Sequence, residues 1–111
     1  MPRYLSLVKY SDDALRGVRS DGYQSRPEAL RALAASFGGS LISMDYTPDD
    51  RWDFAAMFEL PTGEALFGMT SFAQASGTVA DSMTIELFTP EQADAAMHAN
   101  QPDYVPPGEA G

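Results

Sequence analysis

The 111-residue chain contains no cysteine. Disulfides, thiolate nucleophiles, iron–sulfur clusters and cysteine-held zinc are therefore excluded. Its one histidine, His98, is too few for a multi-histidine metal site within one chain. Basic residues are scarce: seven Lys and Arg stand against sixteen Asp and Glu, for a net charge of −9. All seven lie at or before Arg51, and residues 52–111 carry nine acids with no base. Such a half repels phosphate backbones and anionic lipid alike, so neither nucleic acid nor a membrane is an expected partner. No apolar run approaches the roughly 20 residues of a membrane span. Met-Pro-Arg-Tyr opens into strand-like sequence without an apolar signal core, and the expected location is the cytoplasm. Nucleotide-binding glycine loops, His-Glu-x-x-His and the nucleophile elbow are missing as well. Asp45, Asp49 and Asp50 lack the spacing of a calcium loop. The expectation is a protein with no metal and no cofactor.

What is present is periodicity. Tyr4 to Tyr10 alternates as a half-buried strand does, and Ser11-Asp12-Asp13 then caps a short helix through Val18. Ser25-Arg26-Pro27-Glu28 has capping-box spacing ahead of Leu30, Leu33, Ala34 and Phe37, one apolar helix stripe closed by Gly38-Gly39. Leu41 to Tyr46 reads as a strand with Ile42, Met44 and Tyr46 on one face, and Thr47 to Asp50 as a turn. Trp52, Phe54, Ala56, Phe58 and Leu60 form one face of a third strand, opposite Asp53, Ala55, Met57 and Glu59. A helix from Pro61-Thr62-Gly63 carries Leu66, Met69, Phe72 and Ala73. Ser82 to Phe88 is the last strand, with Met83, Ile85 and Leu87 opposing Thr84, Glu86 and Phe88. Thr89-Pro90-Glu91-Gln92 caps a final short helix.

The order is β-α-β-β-α-β, the α+β ferredoxin-like pattern with a four-stranded antiparallel sheet. The expected organisation is one domain over residues 1–99 and a tail over 100–111, rich in Pro and Gly. Two helices cover only one face of such a sheet, and the other face is apolar here. Burying several hundred Å² at about 25 cal/mol per Å² would stabilise a pair of copies by several kcal/mol before association costs. A face-to-face homodimer is expected.

Several segments together resemble the GYD-domain family. They are Tyr4 to Asp12, the Ala14-Leu15-Arg16-Gly17-Val18 turn, the Leu30-to-Leu41 helix–strand joint, the strand after Asp53, and Thr84-Ile85-Glu86-Leu87-Phe88-Thr89. The likeness covers about residues 3–98. The family's Gly-x-Tyr-Asp falls on Asp50-Arg51-Trp52-Asp53, where the aspartate is kept, Trp52 replaces tyrosine and Asp50 replaces glycine. The resemblance implies the dimeric α+β barrel form of the fold. Related barrels include cofactor-independent oxygenases, cyclases, isomerases and small-ligand binders, an analogy of fold alone.

Two residues are candidates for proton transfer. Asp53 starts a strand beside apolar Ala55 and Met57; it is a general acid or base, or else a carboxylate that caps backbone N–H groups or pairs with Arg51 or Arg16. His98 is the one imidazole, a proton carrier if the last helix covers a pocket and a solvated residue if it does not. Trp52, Tyr46 and Tyr10 sit at strand ends where they would stack on a planar ligand, or pack in a core. Met57 would add adaptable apolar lining or fill an irregular core, and Arg16 would hold a ligand carboxylate or pair with Asp12, Asp13 or Asp21. Two functions stay open at this level. One is a dimeric barrel that binds, and as a cofactor-independent enzyme transforms, a hydrophobic or aromatic small molecule. The other is a non-catalytic dimer acting through protein contacts.

Overall fold

The structure is a computed structural model and describes residues 1–109. Four strands, β1 (Arg3–Tyr10), β2 (Ser40–Tyr46), β3 (Phe54–Glu59) and β4 (Val79–Leu87), alternate with α1 (Asp12–Asp21), α2 (Arg26–Ser36) and α3 (Gly63–Ala75). A last helix, α4 (Pro90–His98), follows β4. The sheet order is β2-β3-β1-β4 and every pairing is antiparallel. This is the ferredoxin-like arrangement expected from the order of elements.

Alternation decides which face is which. Tyr4, Ser6, Val8 and Tyr10 of β1 are buried, as are Phe54, Ala56 and Phe58 of β3. They meet Val18 of α1, Leu30 and Ala34 of α2 and Met69 of α3 in one core. Trp52 and Leu60 continue the buried side of β3 beyond the strand itself. The opposite face carries Leu5 and Leu7, flanked in register by Met57 and Ala55 on β3 and by Ile85 and Met83 on β4. No described helix of this chain packs there: Met83 is 44% exposed and Ile85 47%.

The local signals hold with four physical corrections. Ser25 does not cap α2, because Tyr23–Ser25 is already a 3₁₀ turn and the Ser25 hydroxyl donates instead to the Gly22 carbonyl at 2.7 Å. Gly22, at φ 94°, provides the break that lets α1 end and this turn begin. Ile42 does not share a face with Met44 and Tyr46. A bulge between Leu41 and Ser43 shifts the register, so Leu41, Met44 and Tyr46 join the core while Ile42 is exposed. Helix α1 runs past Val18 to Asp21, and Phe72 is exposed rather than buried on the α3 stripe. By contrast, the Thr89–Gln92 capping box forms as read, with both reciprocal hydrogen bonds.

The α2–β2 joint leaves no room for side chains. A Cβ on Gly39 would collide with the Glu59 carbonyl oxygen and lie 2.7 Å from Leu60 Cδ2, whereas one on Gly17, inside α1, meets nothing within 4 Å. Gly39→Ala should therefore lower the unfolding free energy by about 2–3 kcal/mol. Gly17→Ala should raise it by about 0.5–1 kcal/mol through helix propensity. Urea melts of the two variants check the pair, and equal small effects would mean that the joint yields.

Candidate functional site

Helices α2 and α3 do not close against each other over the sheet, and a cavity of about 420 Å³ opens between them. Its apolar wall includes Leu30, Leu33, Phe54, Phe58, Met69 and Val79. Polar groups come from both helices and the sheet, and on the sheet side Thr78, Ser82 and Thr84 of β4 and its approach line the space. The β4 residues do so because the strand turns its polar side toward the helices: Thr84 lies opposite buried Ser6 and their hydroxyls are 2.8 Å apart. Both ends of α2, Arg26 and Ser36, reach the cavity, so it extends along a helix about 15 Å long. The volume falls at the lower end of small-molecule sites, roughly 300–1,000 Å³, and the mix of apolar wall and few polar groups is typical of them.

Tyr10 borders this space from the end of β1. Its backbone N–H donates to Asp53 Oδ2 at 2.8 Å, and its hydroxyl lies 3.3 Å from the Tyr46 hydroxyl. Tyr46 in turn donates to the Tyr23 carbonyl at 3.3 Å, which leaves Tyr10 as the donor between the two phenols. Burial, then the bond to Tyr46, pushes the Tyr10 hydroxyl well above the usual phenol range, while the Arg26 guanidinium pulls weakly the other way. Tyr10 is a neutral phenol at any physiological pH.

The residues singled out from sequence are dispersed. Tyr10 alone of them borders the large cavity. Tyr46 and Asp53 meet Leu15, Tyr23, Thr47 and Pro48 at a second hollow of about 290 Å³. Asp53, its side chain 16% exposed, accepts the Tyr10 backbone N–H and pairs with Lys9 at 3.6 Å, so it does cap backbone, and its cation is Lys9 rather than Arg51 or Arg16. Trp52 is buried under the Arg51 guanidinium, 4.6 Å from its ring centre. Met57 lies on the open sheet face, and Arg16 pairs with Asp13 on exposed α1. His98 is exposed at the end of α4, within a stretch from Pro90 to Glu109 in which every residue is exposed. The residue missed from sequence is Arg26. Its signal was present: an arginine in the first turn of a helix opposes the helix dipole, a placement that calls for a local reason.

Compared with models of known protein families, residues 4–97 match the GYD domain. No curated protein matches the chain.

The Tyr10 environment has a measurable signature. Because its pKa is raised on folding, its contribution to stability is complete below about pH 10 and is lost as the pH climbs past that value. Tyr4 is raised too, by burial first and then by the charges of Glu86 and Glu64. In an alkaline titration of tyrosinate absorbance, Tyr4 and Tyr10 should ionise in a late phase, above the ordinary phenol range. Tyr10→Phe should shrink the late phase; an unchanged late phase would contradict the phenol pair.

Proposed function

This chain belongs to the GYD-domain family, by a match over residues 4–97, and from that premise we propose that it binds a hydrophobic small molecule between α2 and α3. The observation that carries the reading is the cavity of about 420 Å³ with its phenylalanine, leucine and methionine wall. Among the described residues that line it there is no Asp, Glu or His. The lining therefore favours binding over proton-transfer chemistry, and turnover on this ligand would rest on Tyr10 as the nearest titratable hydroxyl. Asp53 is better suited to bracing β1 than to acting on a ligand, since its carboxylate already holds the Tyr10 backbone and Lys9.

The working unit in this proposal is a homodimer. Supporting it is the inverted edge strand: β4 points Met83, Ile85 and Leu87 away from the helices, next to Leu5 and Leu7 of β1. A contiguous apolar sheet face of this kind is rare on a soluble monomer. The cytoplasm is the compartment we propose, which a chain free of cysteine fits. The reading through protein contacts draws on one observation, the exposed Phe88, Met97, Tyr104 and Val105 of the C-terminal stretch. It would make that stretch, rather than the cavity, the functional surface.

Two measurements separate these readings. N-phenyl-1-naphthylamine, a neutral fluorescent probe, should bind the protein, and Ala73→Trp should weaken it about tenfold or more by filling the slot. Binding untouched by Ala73→Trp would place the probe elsewhere and remove the cavity's role. Light scattering should give a dimer at micromolar concentration and a monomer for Ile85→Lys, which buries a charge in the face. A monomeric parent protein would overturn the dimer.

A further inference from the structure

The charge of the cavity runs against that of the protein. A chain with net charge −9 lines the cavity between α2 and α3 with one charged residue, and that residue is an arginine. Arg26 sits in the first turn of α2, where the helix dipole disfavours a cation. Its Nε is buried with no hydrogen-bond partner, although a buried donor left unmade is costly. Among the described ion pairs, Lys9, Arg16, Arg31 and Arg51 have carboxylate partners, while Arg3, Arg19 and Arg26 have none, and of these three only Arg26 lines the cavity. Three unfavourable features meet at one side chain, at one end of an elongated apolar slot.

An anion seated there would relieve all three. A carboxylate accepts from the planar guanidinium fork in a bidentate manner, offsets the unpaired charge and gives the orphaned Nε–H an acceptor. The neighbouring Tyr10 hydroxyl stays protonated, so it adds no negative charge to repel such a head. With a single cation in the lining, charge balance calls for a monoanion rather than a phosphate dianion. The rest of the slot, along α2 past Leu30 and Leu33 toward Ser36, suits an apolar body. The geometry points to apolar monocarboxylic acids as the ligand class, with the carboxylate held by Arg26 and the hydrocarbon or aromatic portion lying between α2 and α3. This rests on the cavity being a binding site, as proposed above.

The test uses three probes with one skeleton: 4-phenylbutyrate, 4-phenylbutan-1-ol and 4-phenylbutylamine, titrated by calorimetry at neutral pH. The acid should bind about tenfold tighter than the alcohol, and the amine more weakly than either. In Arg26→Gln the acid and alcohol should bind within about twofold of each other. Arg26→Lys should restore part of the preference, since it returns the charge without the fork. Equal binding of acid and alcohol to the parent protein would overturn the anion seat and leave the cavity reading standing, a comparison that needs no variant to fold. A preference that survives in Arg26→Gln would also overturn it. Binding of none of the three would overturn the cavity reading, and this inference with it.

Discussion

The structure depends on which way β1 faces. The strand lies in the middle of the sheet, paired to β3 on one side and β4 on the other, and its side chains set the faces of both neighbours. With Tyr4, Ser6, Val8 and Tyr10 turned to the helices, Phe54, Ala56 and Phe58 must follow on β3, and Ser82, Thr84 and Glu86 on β4. A slip of one residue would bring Leu5 and Leu7 inward and expel two tyrosines. Asp53 guards against that slip at the end where the strand leaves the sheet. It accepts the Tyr10 N–H with its side chain while its own N–H donates to the Val8 carbonyl at 2.8 Å.

That choice of faces leaves β4 with an amphipathicity opposite to what a two-layer domain calls for. Its hydroxyls look into the helix layer and its aliphatic side chains look out. The first consequence is an incompletely filled interior, since Ser82 and Thr84 are too small to reach α3 and no large side chain takes their place. The second is an apolar surface on the outside of the same strand. Cavity and open face are thus two results of one pattern in Ser82 to Leu87, which ties any ligand in the interior to the surface available for a second copy.

Most of this architecture was legible in the sequence, because it rests on period-two and helical spacing that a single chain displays. The buried row from Trp52 to Leu60 could be read residue by residue, and so could the Thr89 capping box. The departures have local causes that spacing does not carry. A bulge at Leu41–Ser43 and a 3₁₀ turn at Tyr23–Ser25 each depend on what packs nearby. The site was far less legible. Sequence draws attention to acids, histidine and aromatics by chemical type, and it singled out Asp53, His98 and Trp52, whose surroundings here are an ion pair, solvent and a stacked arginine. Arg26 looked like a helix-start residue beside a proline. Only the gap between α2 and α3, a distance between elements, makes it a cavity residue.

The pairing of Lys9 with Asp53 has a consequence of another kind. Lys9 is the chain's one lysine, and it extends from the open face of β1, opposite Asp81. Chemistry directed at ε-amines, such as acylation or surface immobilisation, therefore has a single side-chain target, on the face that carries the apolar strip. Attaching a group there would neutralise the cation that accompanies Asp53 and place bulk beside Leu7. Lysine coupling is thus a poor way to label this protein without disturbing it, and carboxylate coupling along the exposed stretch from Pro90 to Glu109 is the gentler route.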